Sequence, residues 1–139
     1  MQEFCFMKLS LALSMLDAAL AEARRIEVNV CVSIVDAAAW PMAFARMDGA
    51  PLGVVDVSQK KARTAALFQM DSADFAAKGH PNGEAYTLEN TNGGLTSFGG
   101  GLVIKATDGS FLGAIGVSGA KTEDDIAIAR VAMKQAVNN

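Results

Sequence analysis

Residues 102–117 read LVIKATDGSFLGAIGV, and this stretch decides the fold class of the chain. Two apolar runs, 102–107 and 111–117, lie on either side of the pair Asp108-Gly109. Glycine readily takes the positive φ angle that a tight hairpin turn needs, so the pattern predicts two antiparallel strands joined by a short turn. An antiparallel sheet is therefore the expected scaffold.

A second hairpin is expected upstream of the first. In residues 28–36, VNVCVSIVD, apolar side chains alternate with small or polar ones, which is the period-two pattern of a strand with one buried face. Residues 40–47 form another such run after a short connection at 37–39. The two runs predict a strand pair of the same antiparallel kind.

Helical spacing surrounds the two hairpins. Residues 9–23 and 54–68 carry apolar residues three and four positions apart, which predicts two amphipathic helices. A third helix is expected from Thr122, where Asp125 three residues later makes a variant of the capping box. Residues 69–101 have no clear period, and such a long segment is usually functional, partly helical or used in assembly.

The order helix, hairpin, helix, loop, hairpin, helix predicts an α/β domain of the α+β type. A length of 139 residues suits one domain, which we place at 9–139 with an N-terminal extension at 1–8 and a start at Met1 or Met7. The apolar start of the first helix also resembles a secretory signal. Asp17 and Glu22 favour a retained helix and a cytoplasmic protein over secretion by cleavage.

Composition excludes several classes of partner and site. The net charge is −3 and aromatic residues are 6% of the chain, which argues against nucleic acid as a ligand. No run approaches the roughly 18 apolar residues of a membrane span. Cys5 and Cys31 belong to no CxxC pair or Cys/His cluster, so we expect reduced thiols and no metal-ion site.

Several short motifs occur in a characteristic order. They are Val35-Asp36, ARMDGA at 45–50, KARTA at 61–65, Gly100-Gly101 and GAIGVSG at 113–119, followed by Asp125. From about Leu9 to Val137 the chain therefore resembles the GlcG/HbpS-like family, which includes the haem-degrading-type and PduO C-terminal-like proteins. The resemblance implies an antiparallel five-stranded sheet flanked by helices, a homo-oligomer (dimer, tetramer or octamer), and haem as the cofactor of some members.

Four polar residues are candidates for the site. His80, the only histidine, lies in the turn-forming segment 79–83 and is either a haem ligand or a solvated loop residue. Arg46 and Asp48 close a strand, where they either bind a carboxylate or stabilise the turn. Asn92 could contribute a side-chain amide to a ligand or stabilise a turn.

Lys61 is the fifth candidate, because it falls on the apolar stripe of the second helix. Its ammonium must reach outward to solvent, find an anion, or have its pKa lowered by burial. The ordinary interpretation is an outward-reaching or salt-bridged lysine. The functional one is an anion-binding residue, or an amine that acts as acid or base.

Two functions follow from these candidates, and the sequence leaves both open. The first is a small-ligand binding protein that binds haem, with His80 as iron ligand and Arg46 or Lys61 at the propionates. The second is an auxiliary isomerase or proton-transfer enzyme of organic-acid, diol or aromatic catabolism. It would use Lys61 or His80 as acid or base, and Arg46, Asp48 and Asn92 to bind substrate. A structural accessory protein that works through its oligomeric surface is a third hypothesis.

Overall fold

The computed structural model describes residues 6–137. They form four α-helices, one short turn of 3-10 helix and four strands. In chain order these are α1 (Leu9–Arg25), β1 (Cys31–Asp36), β2 (Pro41–Arg46), α2 (Val54–Phe68), α3 (Ser72–Gly79), the 3-10 turn (Leu88–Asn90), β3 (Gly101–Lys105), β4 (Phe111–Ser118) and α4 (Thr122–Val137).

The four strands form a single antiparallel sheet in the order β2-β1-β4-β3. Both predicted hairpins are confirmed, and the sheet is completed where β1 pairs with β4. The register aligns Cys31 with Arg46 on one side and with Ser118 on the other. The expected fifth strand is absent from residues 6–137, because the long segment before β3 folds into α3 and turns instead.

One face of the sheet is covered by α1 and α4, which also pack against each other. Apolar side chains of all three layers form the main core here, and Met7 before α1 already belongs to it. The strands contribute the branched side chains Val32, Ile34, Ile104, Ile115 and Val117, and Val30 directly before β1 adds another. The period-two alternation of these strands thus places their large residues on this face.

The opposite face is covered by α2, which lies very close to the sheet. A Cβ atom at Gly116 would sit 2.1 Å from the carbonyl oxygen of Ser58, and one at Gly101 would sit 2.4 Å from that of Lys61. The second core is accordingly built from small side chains such as Ala62, Ala65 and Ala114. Two glycines in the strands are what let the helix backbone approach this far.

α3 lies within residues 69–101, where the sequence shows no clear period. The predicted order with three helices is therefore incomplete. Its first turn covers the outer edge of β3. Asp71 Oδ1 accepts the Val103 N–H at 3.0 Å, and Ser72 Oγ accepts the Gly101 N–H at 2.9 Å. Two N–H groups of this edge strand are therefore bonded within the chain.

Some expectations concern residues 1–5 and 138–139, which lie outside the described part. They include the state of Cys5 and most of the proposed extension at 1–8. Within residues 6–137, no helix has the length and apolar character needed to cross a membrane.

Candidate functional site

Lys61 forms an ion pair in the interior. Its side chain is 0% exposed, and Nζ donates to the carbonyl oxygen of Val117 at 2.8 Å and to Asp125 Oδ2 at 3.1 Å. Asp125 is itself 2% exposed, and its Oδ1 accepts the Ala120 N–H at 3.0 Å. The pair therefore joins α2 to the start of α4 past the end of β4.

The path of the lysine side chain is shaped by the segment before β3. Gly100 has φ +126°, and a Cβ there would lie 2.7 Å from Lys61 Nζ and 2.5 Å from the Val117 carbonyl oxygen. Nζ also lies 4.9 Å from the centre of the Phe98 ring, in a cation–π contact. The absence of a side chain at Gly100 thus makes room for the Lys61 ammonium group.

Burial dominates the electrostatics of this pair. Removal from water lowers the pKa of the Lys61 ammonium, and the nearby Asp125 carboxylate only partly opposes that shift. Burial likewise raises the pKa of the Asp125 carboxyl, against the lowering effects of Lys61 and of the backbone N–H groups of Ala120 and Gly119. Both shifts favour the uncharged forms.

Two of the fates considered for Lys61 are therefore realised together: it finds an anion and its pKa falls. It does not reach outward to solvent. The capping interpretation of Asp125 is corrected, because its carboxylate bonds to Ala120 and Lys61, and Thr122 is the first helical residue. A role for Lys61 as acid or base stays a prediction.

His80 lies directly after α3 and is exposed. Its Nδ1 accepts the backbone N–H of Asn82 at 3.1 Å, which places the ring proton on Nε2. If Nε2 bound a metal ion, the ring proton would have to lie on Nδ1, and the hydrogen bond from Asn82 would have to break. A hydrogen bond of this kind is worth about 0.5–1.5 kcal/mol, so an exposed ring can adjust at small cost.

Beside His80, the turns after α3 enclose a cavity of about 270 Å³. Gly79, Pro81 and Tyr86 line one part of it, and Thr87, Glu89 and Asn90 the rest. Ligand pockets for drug-sized molecules span about 300–1,000 Å³, so this cavity is too small to enclose a porphyrin. His80 stays a prediction as an iron ligand, and the cavity beside it could cover only part of a porphyrin.

Arg46 and Asp48 line a different cavity, of about 340 Å³, between the end of β2 and α1. Arg24 of α1 lines the same cavity, a second arginine that the sequence did not single out because it belongs to a distant element. Arg46 is exposed and lies opposite Cys31, a buried thiol whose pKa is raised by burial and lowered less by Arg46. Two guanidinium groups and the Asp48 carboxylate line this cavity, so its lining has an excess of positive charge.

The structure does not bring all the predicted residues into one site. Arg46 lies on β2 at one edge of the sheet, whereas His80 follows α3, which packs beside β3 at the other edge. Asn92 is exposed, with φ +54°, and its carbonyl oxygen accepts a hydrogen bond from Arg63 at 3.1 Å. The backbone of Asn92 thus has a structural role, and its side-chain amide donates to Thr91.

Comparison with known proteins identifies the family of this chain. A family model described as "Haem degrading protein HbpS-like" matches residues 7–134. The chain belongs to the HbpS-like family. The resemblance found in its motifs is confirmed.

Relatives of this HbpS-like chain include whole proteins and parts of larger ones. An uncharacterised 15.0 kDa protein of the dhaT-dhaS intergenic region in Citrobacter freundii is 33% identical over 133 residues, which cover 95% of this chain and 93% of the relative. The corrinoid adenosyltransferase PduO of Salmonella typhimurium is 34% identical over 117 residues, 84% of this chain. Those residues are only 34% of PduO, so the chain spans about a third of that enzyme.

A solved structure shows the same fold with a ligand. The crystal structure of the PduOC:heme complex superposes with a TM-score of 0.89 at 30% identity, over 94% of this chain and 95% of that one. The α+β architecture is therefore that of the family, and at least one protein similar to this HbpS-like chain binds haem.

Proposed function

We propose that this protein is a small-ligand binding protein whose ligand is haem. The observation that supports it best is the likeness to the PduOC:heme complex over nearly the full length of both chains. The description of the family as haem-degrading points to the same cofactor. In this proposal the protein is located in the cytoplasm and works as a homo-oligomer.

His80 is the axial ligand in this proposal. It is the only histidine in the sequence, and it is exposed directly after α3. Histidine nitrogen is the commonest protein ligand of haem iron. When bound, haem would supply redox and gas-binding chemistry, and His80 of this chain would hold the iron.

The cavity beside His80 is too small to enclose a porphyrin. In this proposal, a second copy of the chain therefore covers the part of the haem that one chain leaves exposed. Arg46 can bind a propionate of the same haem only from such a second chain, because it lies at the opposite edge of its own sheet. Lys61 has no part in this site, since its ammonium is enclosed by Val117 and Asp125.

The test is a haemin titration of purified protein followed by absorbance, for the wild type and for His80→Ala. We expect saturable binding near about one haem per subunit, with a Soret band whose position shifts in the variant. Asn82→Ala is the matched control, because Asn82 contacts His80 through its backbone N–H, which the substitution keeps.

Three results would count against the proposal. Binding that does not saturate would remove haem as the ligand. A spectrum independent of His80 would remove this residue as the iron ligand, and loss of the band in Tyr86→Phe would move that role to the exposed Tyr86.

A further inference from the structure

A groove separate from the His80 and Arg46 cavities lies between the β1-β2 hairpin and α2. We call it the β2 groove. Val35, Ala39, Trp40 and Phe44 of the hairpin line it, together with Gln59 and Arg63 of α2. The enclosed volume is about 220 Å³.

The aromatic walls are unusually exposed for their size. Trp40 is 70% exposed and Phe44 is 40% exposed, although both rings carry large apolar surfaces. Phe44 lies opposite Ser33 in the sheet, which places it on the face that α2 covers. The two rings therefore present uncovered apolar surface next to a cavity.

The position of Trp40 is fixed by the turn before it. Asp36 Oδ1 accepts the N–H groups of Ala38 and Trp40, each at 2.9 Å. Ala39 between them has φ +66°, a conformation that costs a non-glycine residue about 1–2 kcal/mol, and its side chain is 3% exposed in the core. A strained and anchored turn thus holds the ring beside the groove.

Arg63 sets the charge of the groove. Among the described residues that line it, Arg63 alone is charged. Its Nη2 donates to the carbonyl oxygen of Asn92 at 3.1 Å, which orients the guanidinium and leaves further N–H groups for a ligand. The planar fork of arginine matches a carboxylate, and the amide of Gln59 adds a neutral partner.

Volume decides the size of the occupant. A cavity of about 150 Å³ holds one benzene ring, whereas drug-sized ligands need about 300–1,000 Å³. A space of about 220 Å³ suits one ring with a short polar group.

From these features we infer that the β2 groove binds a small aromatic carboxylate, with its ring against Trp40 and Phe44 and its carboxylate on Arg63. This site is independent of the haem proposal, since none of its residues takes part in that site.

The sequence provides a reporter, because Trp40 is its only tryptophan. Benzoate is the probe, titrated into the wild-type protein while Trp40 emission is recorded. Benzamide, which has the same shape without the charge, is the comparison. We expect saturable quenching by benzoate and at least about tenfold weaker binding of benzamide, since hydrogen bonds to charged groups are the stronger ones.

The variant pair is Arg63→Gln and Arg130→Gln. Arg130 is exposed on α4, beyond the other face of the sheet, so its loss should leave benzoate affinity unchanged. Arg63→Gln should weaken benzoate binding by at least about tenfold and leave haemin binding as it was. Cooperative thermal unfolding of both variants checks that they are folded.

Three outcomes would overturn the inference. Benzoate that produces no saturable quenching at millimolar concentration removes the ligand class. Equal affinity for benzoate and benzamide, measured without any variant, removes the role of charge. Trp40 emission that shifts with protein dilution and ignores benzoate shows that a second copy of the chain covers the groove.

Discussion

Lys61 is among the largest fully buried side chains in the described part of the chain. A buried ion pair is weak evidence for stability, because the loss of hydration offsets much of the attraction between the charges. Removing one partner is different, since it leaves the other without compensation. The contribution of this pair to the free energy of unfolding is therefore measured by removing the partners singly and together.

We expect Lys61→Met to lower the free energy of unfolding by about 3–5 kcal/mol, since Asp125 then stays buried without its cation. The double variant Lys61→Met with Asp125→Leu should recover most of that loss, because two apolar side chains of similar volume carry no hydration cost. Urea unfolding of the three proteins measures both effects. A single variant as stable as the wild type would contradict the buried pair.

The pH dependence of the same pair follows from the two pKa shifts. The pKa of Asp125 is raised above 3.8, so the folded state holds its proton more tightly, and this contribution to stability is lost as the pH rises through the raised value. The pKa of Lys61 is lowered below 10.5, so its contribution is present above 10.5 and is lost as the pH falls through the lowered value.

The pair should therefore contribute least to stability near neutral pH. Subtracting the stability of the double variant from that of the wild type isolates this effect, because the other titrating groups cancel. We expect the difference to be smallest near neutrality and to grow toward both acid and alkaline pH. A difference that is largest near neutral pH would mean that attraction between the charges outweighs their burial.

The sequence alone predicted that Lys61 must find an anion, reach outward or lose its charge. It did not predict Asp125 as the partner, because 64 residues separate the two and nothing local records their meeting. The candidates His80, Arg46, Asp48 and Asn92 remain predictions as ligand contacts. Residue type and turn chemistry selected them, and neither reports distance in space.

At the scale of elements, the closeness of α2 to the sheet is the feature most open to test. The glycines of β3 and β4 remove the side chains that would otherwise hold the helix away. Glycine inside a strand is usually destabilising, so its presence here marks a close backbone approach.

We expect Gly116→Ala to destabilise the protein by about 3 kcal/mol or more, at the upper end of the cost of overpacking. Its new Cβ would lie 2.1 Å from the Ser58 carbonyl oxygen and 2.6 Å from the Ala62 nitrogen, and both atoms belong to the helix backbone. Gly53→Ala, which meets nothing within 4 Å, is the control and should be neutral. Thermal unfolding of both variants decides; equal melting temperatures would show that α2 can shift freely.

Most elements were predictable because their signals are local. The bounds of α2 agree with its apolar period, α4 begins at Thr122 as expected, and both hairpins form around their turns. α3 was missed because eight residues with three alanines and a glycine carry too short a period to recognise. The pairing of β1 with β4 also has no local signal, since it joins segments far apart in the chain.

At the scale of the whole molecule, the two edges of the sheet are unequal. Asp71 and Ser72 bond two N–H groups of the β3 edge, whereas β2 borders no strand other than β1 within residues 6–137. The β2 groove and the Arg46 cavity both adjoin the open edge, while His80 follows the helix at the covered one. Two of the candidate ligand surfaces thus lie at the β2 edge of the sheet, and the third lies at the β3 edge.

Strand-to-strand addition of a second copy needs unbonded N–H and C=O groups at a sheet edge. Asp71 and Ser72 already bond two N–H groups of the β3 edge. Two copies that paired through β2 would each cover the other's free edge, as in a closed two-fold dimer. The hydrogen bonds from Asp71 and Ser72 therefore work against the growth of such a dimer into a fibre at the β3 edge.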